Sequence, residues 1–281
     1  QKFTTEKIQL QLIFLLILGR IKRDTNQTCK MSNYHYRGFG LLIQSEIELP
    51  ELLPCKKEEF KVVESIESRI QIKKGKTPKE LKGNDVVKMV RSWARPNEYL
   101  LDIIGIARFH IIDGTTITIE PYPSAALKDI RLFLLQAPIA VLILQRGHIL
   151  LEASAVRDER GVILICGSCG LGKSTLAAIL NQRGYKLFSD DFVVIKSKEI
   201  HSNQVFAYAG SSVVKLWDKS YELLKEDKIF TKNWQVRDNF NCYCNSFVED
   251  FESNPLPIAK MLYIDVHSVH PDEKQYSVKP A

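Results

Sequence analysis

The sequence predicts an α/β domain organised around a phosphate-binding loop, preceded by a smaller, β-rich α+β domain. Three observations carry that reading. The run Gly167-Ser168-Cys169-Gly170-Leu171-Gly172-Lys173-Ser174 fits the spacing G-x-x-x-x-G-K-[ST] at every constrained position. It stands between a continuous apolar run, Gly161-Val162-Ile163-Leu164-Ile165-Cys166, of the kind that forms a strand buried on both faces, and a segment with apolar residues at helical spacing. Upstream of residue 124 the chain instead reads as β-branched runs separated by turn residues.

Residues 31–123 make up the predicted N-terminal domain. Within it, Ile103 to His110 and Thr116 to Glu120 flank Asp113-Gly114, a dipeptide that tolerates the positive φ of a tight hairpin. The period then changes. Ala125 to Leu135 reads as a helix, and Pro138, which fits the first turn of a helix, starts a second segment running to about Gln145. A strand follows over Ile149 to Val156. The boundary is expected near residue 124, with the phosphate-loop domain over 124–281 and no internal repeat in either part.

The loop's chemistry follows from its residue types. Its three glycines let the backbone turn tightly, so that N–H groups converge on a phosphate at the positive end of the helix expected over Ser174 to Arg183. Gly184 sits where that helix needs a C-cap. Lys173 would reach the β- and γ-phosphates of ATP, and the Ser174 hydroxyl would ligate Mg2+. The nucleotide-binding set is thus Gly167, Ser168, Cys169, Gly170, Leu171, Gly172, Lys173, Ser174 and Thr175. A dinucleotide-binding turn fits less well, because the order here is G-x-x-G-x-G with a lysine after it.

A second apolar run, Tyr185 to Ser189, leads into Asp190-Asp191. Phosphoryl transfer to a hydroxyl needs one carboxylate on the metal and another group to take the hydroxyl proton. Successive residues leaving a strand point to opposite sides, so one acid can face magnesium while its neighbour faces the acceptor. Two surface carboxylates on a solvated loop are the plainer alternative, and the phosphate loop upstream is what weighs against it.

Leu151 to Val156, the loop Gly167 to Thr175, Arg183-Gly184-Tyr185, Ser189-Asp190-Asp191 and Val214-Lys215-Leu216-Trp217 together resemble the catalytic domain of the HPr serine kinase superfamily. More narrowly, they resemble the HPr kinase-like proteins of bacterial gene clusters for ribosomally made peptides, including lasso peptide kinases. The opening Tyr36 to Pro50 is similar to the start of such proteins. The resemblance implies an ATP-dependent kinase with the nucleotide-binding fold shared by HPr kinase and phosphoenolpyruvate carboxykinase. It implies that Asp190 is the general base, that Asp191 joins Ser174 in holding the metal, and that the acceptor is a serine of a peptide or protein. One position departs from the pattern: Glu152 stands where the family commonly has a histidine assisting the base. A glutamate close to Asp190 would raise its pKa by like-charge repulsion. Cys169 in place of the usual serine matters less, since that position contributes mainly backbone.

Composition narrows the alternatives. The 281 residues are 45 % hydrophobic, enough for one or two cores. The net charge is +6, of which residues 1–30 contribute +4, so the remainder is too weakly basic to argue for nucleic acid. Residues 1–30 read as a leader outside the fold. Their apolar stretch, Ile8 to Leu18, is too short for a span, and a start-site artefact is favoured over a membrane-surface helix. Met31 reads as the natural start, and Tyr276 to Ala281 ends without a terminal helix. Cys166 with Cys169, and Cys242 with Cys244, are expected to be reduced thiols in a cytoplasmic protein rather than zinc ligands. His110, His148, His201, His267 and His270 form no metal-binding motif. Three function classes follow: a kinase acting on a hydroxyl, a nucleotide hydrolase, and a noncatalytic ATP-binding partner in peptide maturation. Homo-oligomerisation stays open.

Overall fold

The computed structural model of the chain describes residues 33–57, 69–197, 205–224, 230 and 233–265. The expected leader over 1–30, the end over 276–281, and His201, His267 and His270 lie outside the described residues.

The first sheet is mixed and has nine strands: β1 (Tyr34–Gly38), β2 (Leu41–Ser45), β3 (Leu53–Pro54), β4 (Arg69–Lys74), β5 (Val87–Met89), β6 (Ser92–Arg95), β7 (Glu98–Ile103), β8 (Ala107–Ile112) and β9 (Thr116–Pro121). Their order is β3-β1-β2-β4-β9-β8-β7-β6-β5. The β8–β9 hairpin forms where Asp113-Gly114 predicts it, with φ of 52° and 60° at the two residues. The expected strand from Ile103 is broken, however. Ile103 pairs with Ala107, and the chain reverses between them through Gly105 at φ 78°. The flanking isoleucines hide that turn in the sequence.

Two helices follow, α1 (Leu127–Leu134) and α2 (Ala137–Gln145), the second with a proline in its first turn as expected. They cover one face of the first sheet. Ile130, Phe133, Ile139 and Leu142 share a single core with Phe109, Ile111, Ile117 and Ile119. The apolar packing therefore continues past residue 124, because a sheet with a buried face needs a covering layer and short connections make the next elements in sequence supply it.

β10 (Ile149–Asp158) begins the second part, followed by β11 (Gly161–Gly167), α3 (Lys173–Gln182), β12 (Lys186–Ser189), β13 (Phe192–Ser197), β14 (Val205–Ala209), β15 (Val213–Trp217), the short helix α4 (Asp218–Leu223), β16 (Trp234–Gln235), β17 (Cys242–Ser246) and β18 (Leu256–Ile264). β11, β18, β14, β13 and β10 pair in that order, and β10 pairs again with β11, so these strands close into a ring. Alternation along the strands sorts their side chains. Ala153, Ala155, Val162 and Leu164 fill the interior of the ring, while Val156, Ile163 and Ile165 face outward and pack with Ala177 and Ala178 of α3. β15, β17 and β16 form a third, small sheet beside this layer.

Among the described residues, no helix is long and apolar enough to cross a membrane.

Candidate functional site

β11 delivers the glycine loop. Gly167 closes the strand at φ 144°, and a Cβ there would stand 2.5 Å from the Ile264 carbonyl of the parallel neighbour β18. Gly170 and Gly172 turn the chain at φ 85° each, in the left-handed region that favours glycine, and Gly172 is the residue before α3. Ser168, Cys169 and Gly170 face solvent at the lip. Lys173, the first residue of the helix, is buried. Its Nζ donates to Gly167 O at 2.8 Å, to Ser168 O at 3.2 Å and to Glu152 Oε1 at 3.1 Å. Thr175 Oγ1 lies 2.8 Å from Ser220 Oγ, which ties α3 to α4.

The acid pair sits opposite the loop because β12 and β13 run along the same edge of β10. Ala155 pairs with Ser189 and Glu152 with Phe192, which leaves Asp190 and Asp191 abreast of Ser154 and Ala153. The ladder persists at Asp191, whose carbonyl accepts from Ala153 N at 3.1 Å. Asp191 itself has φ 64°, and Phe192 N donates to Asp190 O at 2.8 Å, an i→i+2 bond that makes a γ-turn centred on Asp191. A non-glycine residue held in that conformation is strained by about 1–3 kcal/mol, and such strain clusters at functional sites.

The turn sends the two carboxylates to different partners. Asp190 is buried. Its Oδ1 accepts from Ser154 Oγ at 2.6 Å and Ser174 Oγ at 2.8 Å, and its Oδ2 accepts from the Lys215 backbone N at 2.9 Å. Burial pushes its carboxyl above the usual range, and the neighbouring Asp191 charge adds to this against those three hydrogen bonds. Asp191 Oδ2 accepts from Lys215 Nζ at 2.5 Å and Gln136 Nε2 at 3.2 Å. Burial alone would lower the Lys215 ammonium, but the adjacent Asp191 carboxylate overrides it and holds the pKa above that of an ordinary lysine. One residue of β15 thus fixes both acids, the first through its backbone and the second through its side chain.

Lys173, Ser174, Glu152, Asp190 and Asp191 therefore converge, but not in the expected pairs. Ser174 meets Asp190, not Asp191, because the γ-turn carries Asp191 toward Lys215 and Gln136. Glu152 meets Lys173, and the charge that raises Asp190 beyond its burial is Asp191. Ser154, Lys215 and Gln136 take part without having been given a role. Ser154 and Lys215 lie within the segments that carry the resemblance, and Ser154 also shares the strand face of Glu152, two residues on, whereas Gln136 had no signal.

No protein-family model matches the chain, and no curated protein matches it. Among solved structures it is similar to the Hpr(Ser) kinase/phosphatase from Coxiella burnetii, at 17 % identity and a TM-score of 0.28, over 45 % of this chain and 69 % of that one.

Proposed function

We propose that this chain is an ATP-dependent phosphotransferase with a hydroxyl acceptor, a serine of a peptide or protein. The observation that carries the reading is the meeting of Ser174 Oγ with Asp190 Oδ1 at 2.8 Å beneath a loop that fits the phosphate-cradling pattern. A hydroxyl and a carboxylate are the hard oxygen donors that magnesium takes from protein when phosphate oxygens and water complete its shell. Ser174 and Asp190 would hold Mg2+, which when bound neutralises charge on the β- and γ-phosphates.

The chain's own groups do the rest. Backbone N–H groups of the loop and of the first turn of α3 receive the phosphates, and Lys173 exchanges its carbonyl partners for phosphate oxygens. Among the described residues both side-chain bonds to Asp191 fall on Oδ2, so Oδ1 is left for the incoming hydroxyl. The hydroxyl oxygen bonds to the γ-phosphorus, the bond to the β–γ bridging oxygen breaks, ADP leaves, and the hydroxyl proton passes to Asp191. This reverses the roles that the resemblance implies for the two acids. The same resemblance supports an HPr kinase-like protein of peptide-maturation gene clusters; the cysteine usage favours the cytoplasm, and the weak net charge of residues 31–281 gives no reason to add a nucleic-acid partner.

A second reading, a noncatalytic ATP-binding partner, is favoured by one observation, the hold of Glu152 on Lys173 at 3.1 Å. Calorimetry with Mg-ATP tests both. Lys173→Ala is expected to lose on the order of 2–4 kcal/mol of binding, since it removes a charge-assisted contact. Equal affinity in the two proteins would remove the loop from the site. Binding without loss of the γ-phosphate to any serine peptide would leave the noncatalytic reading.

A further inference from the structure

His148, the residue before β10, stands opposite Lys196 of β13, because the pairing of Ile149 with Ile195 carried one step further brings the two together. Both lie on the strand face that turns toward the first sheet, the face of Leu150 and Val194. Arg146, just past the end of α2, donates from Nη1 to Gly114 O at 2.6 Å, and its charge acts on both residues. Lys196 is half-buried. Its Nζ lies 4.6 Å from the centre of the Tyr208 ring of β14 and reaches the β1–β2 turn, where a Cβ on Gly40 would stand 3.2 Å from it. Among the described residues no carboxylate pairs with Lys196 or His148. The cluster stands apart from the acid pair, roughly 13 Å along β13 from Phe192.

Three bases thus gather without an acid. The Tyr208 ring face favours an ammonium, but loss of water and a neighbouring cation work against one. Burial, and then the Arg146 charge, bring Lys196 down to about 8; burial, and then Lys196 and Arg146, bring His148 down to about 4. A share of Lys196 is therefore free amine near neutral pH, which is a nucleophile. An anion formed on it would meet Arg146 as its counter-charge, with no acid to repel it. We propose that Lys196 is a carbamylation site that takes up carbon dioxide. The Nζ lone pair bonds to the carbon of CO2, one C–O π pair withdraws onto oxygen as the carboxylate, and an N–H proton leaves to water. Amine and CO2 become carbamate and a proton, with no other reactant. Carbon dioxide fits this setting better than an acyl donor, because its adduct carries the negative charge that the cluster lacks, whereas an acylated lysine is neutral.

The test equilibrates the full chain with isotopically labelled bicarbonate and its carbon dioxide at mildly alkaline pH, traps carbamates as ethyl esters with triethyloxonium, and maps them by peptide mass spectrometry. Near the Lys196 value of about 8, half of its amines are free, against roughly one in 250 for an ordinary lysine. Label at Lys196 is therefore expected to exceed that at any other lysine by about tenfold or more. Arg146→Gln is expected to cut it about fivefold or more, since it removes both the neighbouring cation and the counter-charge of the product. Lys196→Arg, which keeps a cation over the Tyr208 ring, is expected to abolish that label and leave the other lysines unchanged. Label spread evenly over the lysines, or none at Lys196, overturns the proposal, and that comparison stands on the wild type even if Arg146→Gln fails to fold. Selective reaction of Lys196 with acetic anhydride but not with carbon dioxide would mean a reactive amine only, and overturns it too.

Discussion

Lys173 has three N–H donors, and Glu152 holds one of them in place of a phosphate. The pair is half open to water, Glu152 being 43 % exposed, so its strength is that of a screened surface pair, about 0.5–1 kcal/mol. On the phosphotransferase reading a nucleotide must displace it. Glu152→Gln is therefore expected to tighten Mg-ATP binding about two- to fivefold at low salt and less at high salt, read by calorimetry at two ionic strengths. Weaker binding would make Glu152 a ligand of the nucleotide instead. Asp190 bears the opposite burden. Its folded pKa is raised, so the folded state holds a proton more tightly than the unfolded one, and the wild type loses stability as pH rises through that value. Asp190→Asn is expected to melt at higher temperature than wild type at pH 7, with the gap closing as pH falls toward the ordinary carboxylate range, and to have lost phosphoryl transfer. An unchanged or lower melting temperature at pH 7 counts against the buried charge. These residues were legible because the loop pattern fixes Lys173 and Ser174 by spacing alone. Their pairing was not, since which aspartate meets Ser174 depends on one positive φ at Asp191, a conformation the sequence does not advertise.

Most elements around the site were legible for the same local reasons. The apolar run before the loop becomes β11, α3 starts within one residue of its expected position, and Gly184 follows its last turn at φ 96°. The failures belong to context. Ile103 to His110 satisfies a strand pattern throughout, and only the pairing of Ile103 with Ala107 shows that Gly105 reverses the chain. Lys215 reads as one polar residue in an apolar strand, whereas in the fold its half-buried position beside two carboxylates makes it the group that orders both. A partner from a distant strand leaves no periodic trace in either segment.

The two cores meet along a close backbone approach. Phe39 N donates to Ala209 O at 2.7 Å, and a Cβ on Gly210 would stand 2.7 Å from the Phe192 carbonyl and 2.8 Å from the Phe39 ring. Gly210→Ala is expected to cost about 1–3 kcal/mol, as overpacking does, and to lower the melting temperature by several degrees. An unaltered melting curve would mean the seam has slack. The core of the first sheet takes in α1 and α2, beyond residue 124, where sequence shows a change of periodicity but not which layer a helix covers. The closed ring of β10, β11, β18, β14 and β13 has its own implication. The loop at the end of β11 and the acids between β12 and β13 are joined by two routes, one through β10 and one around through β18 and β14. A frame braced from both directions resists hinging at either, so on the phosphotransferase reading the rearrangement that admits a nucleotide falls to side chains, and the buried Lys173, held by two carbonyls and Glu152, is the one that must change partners.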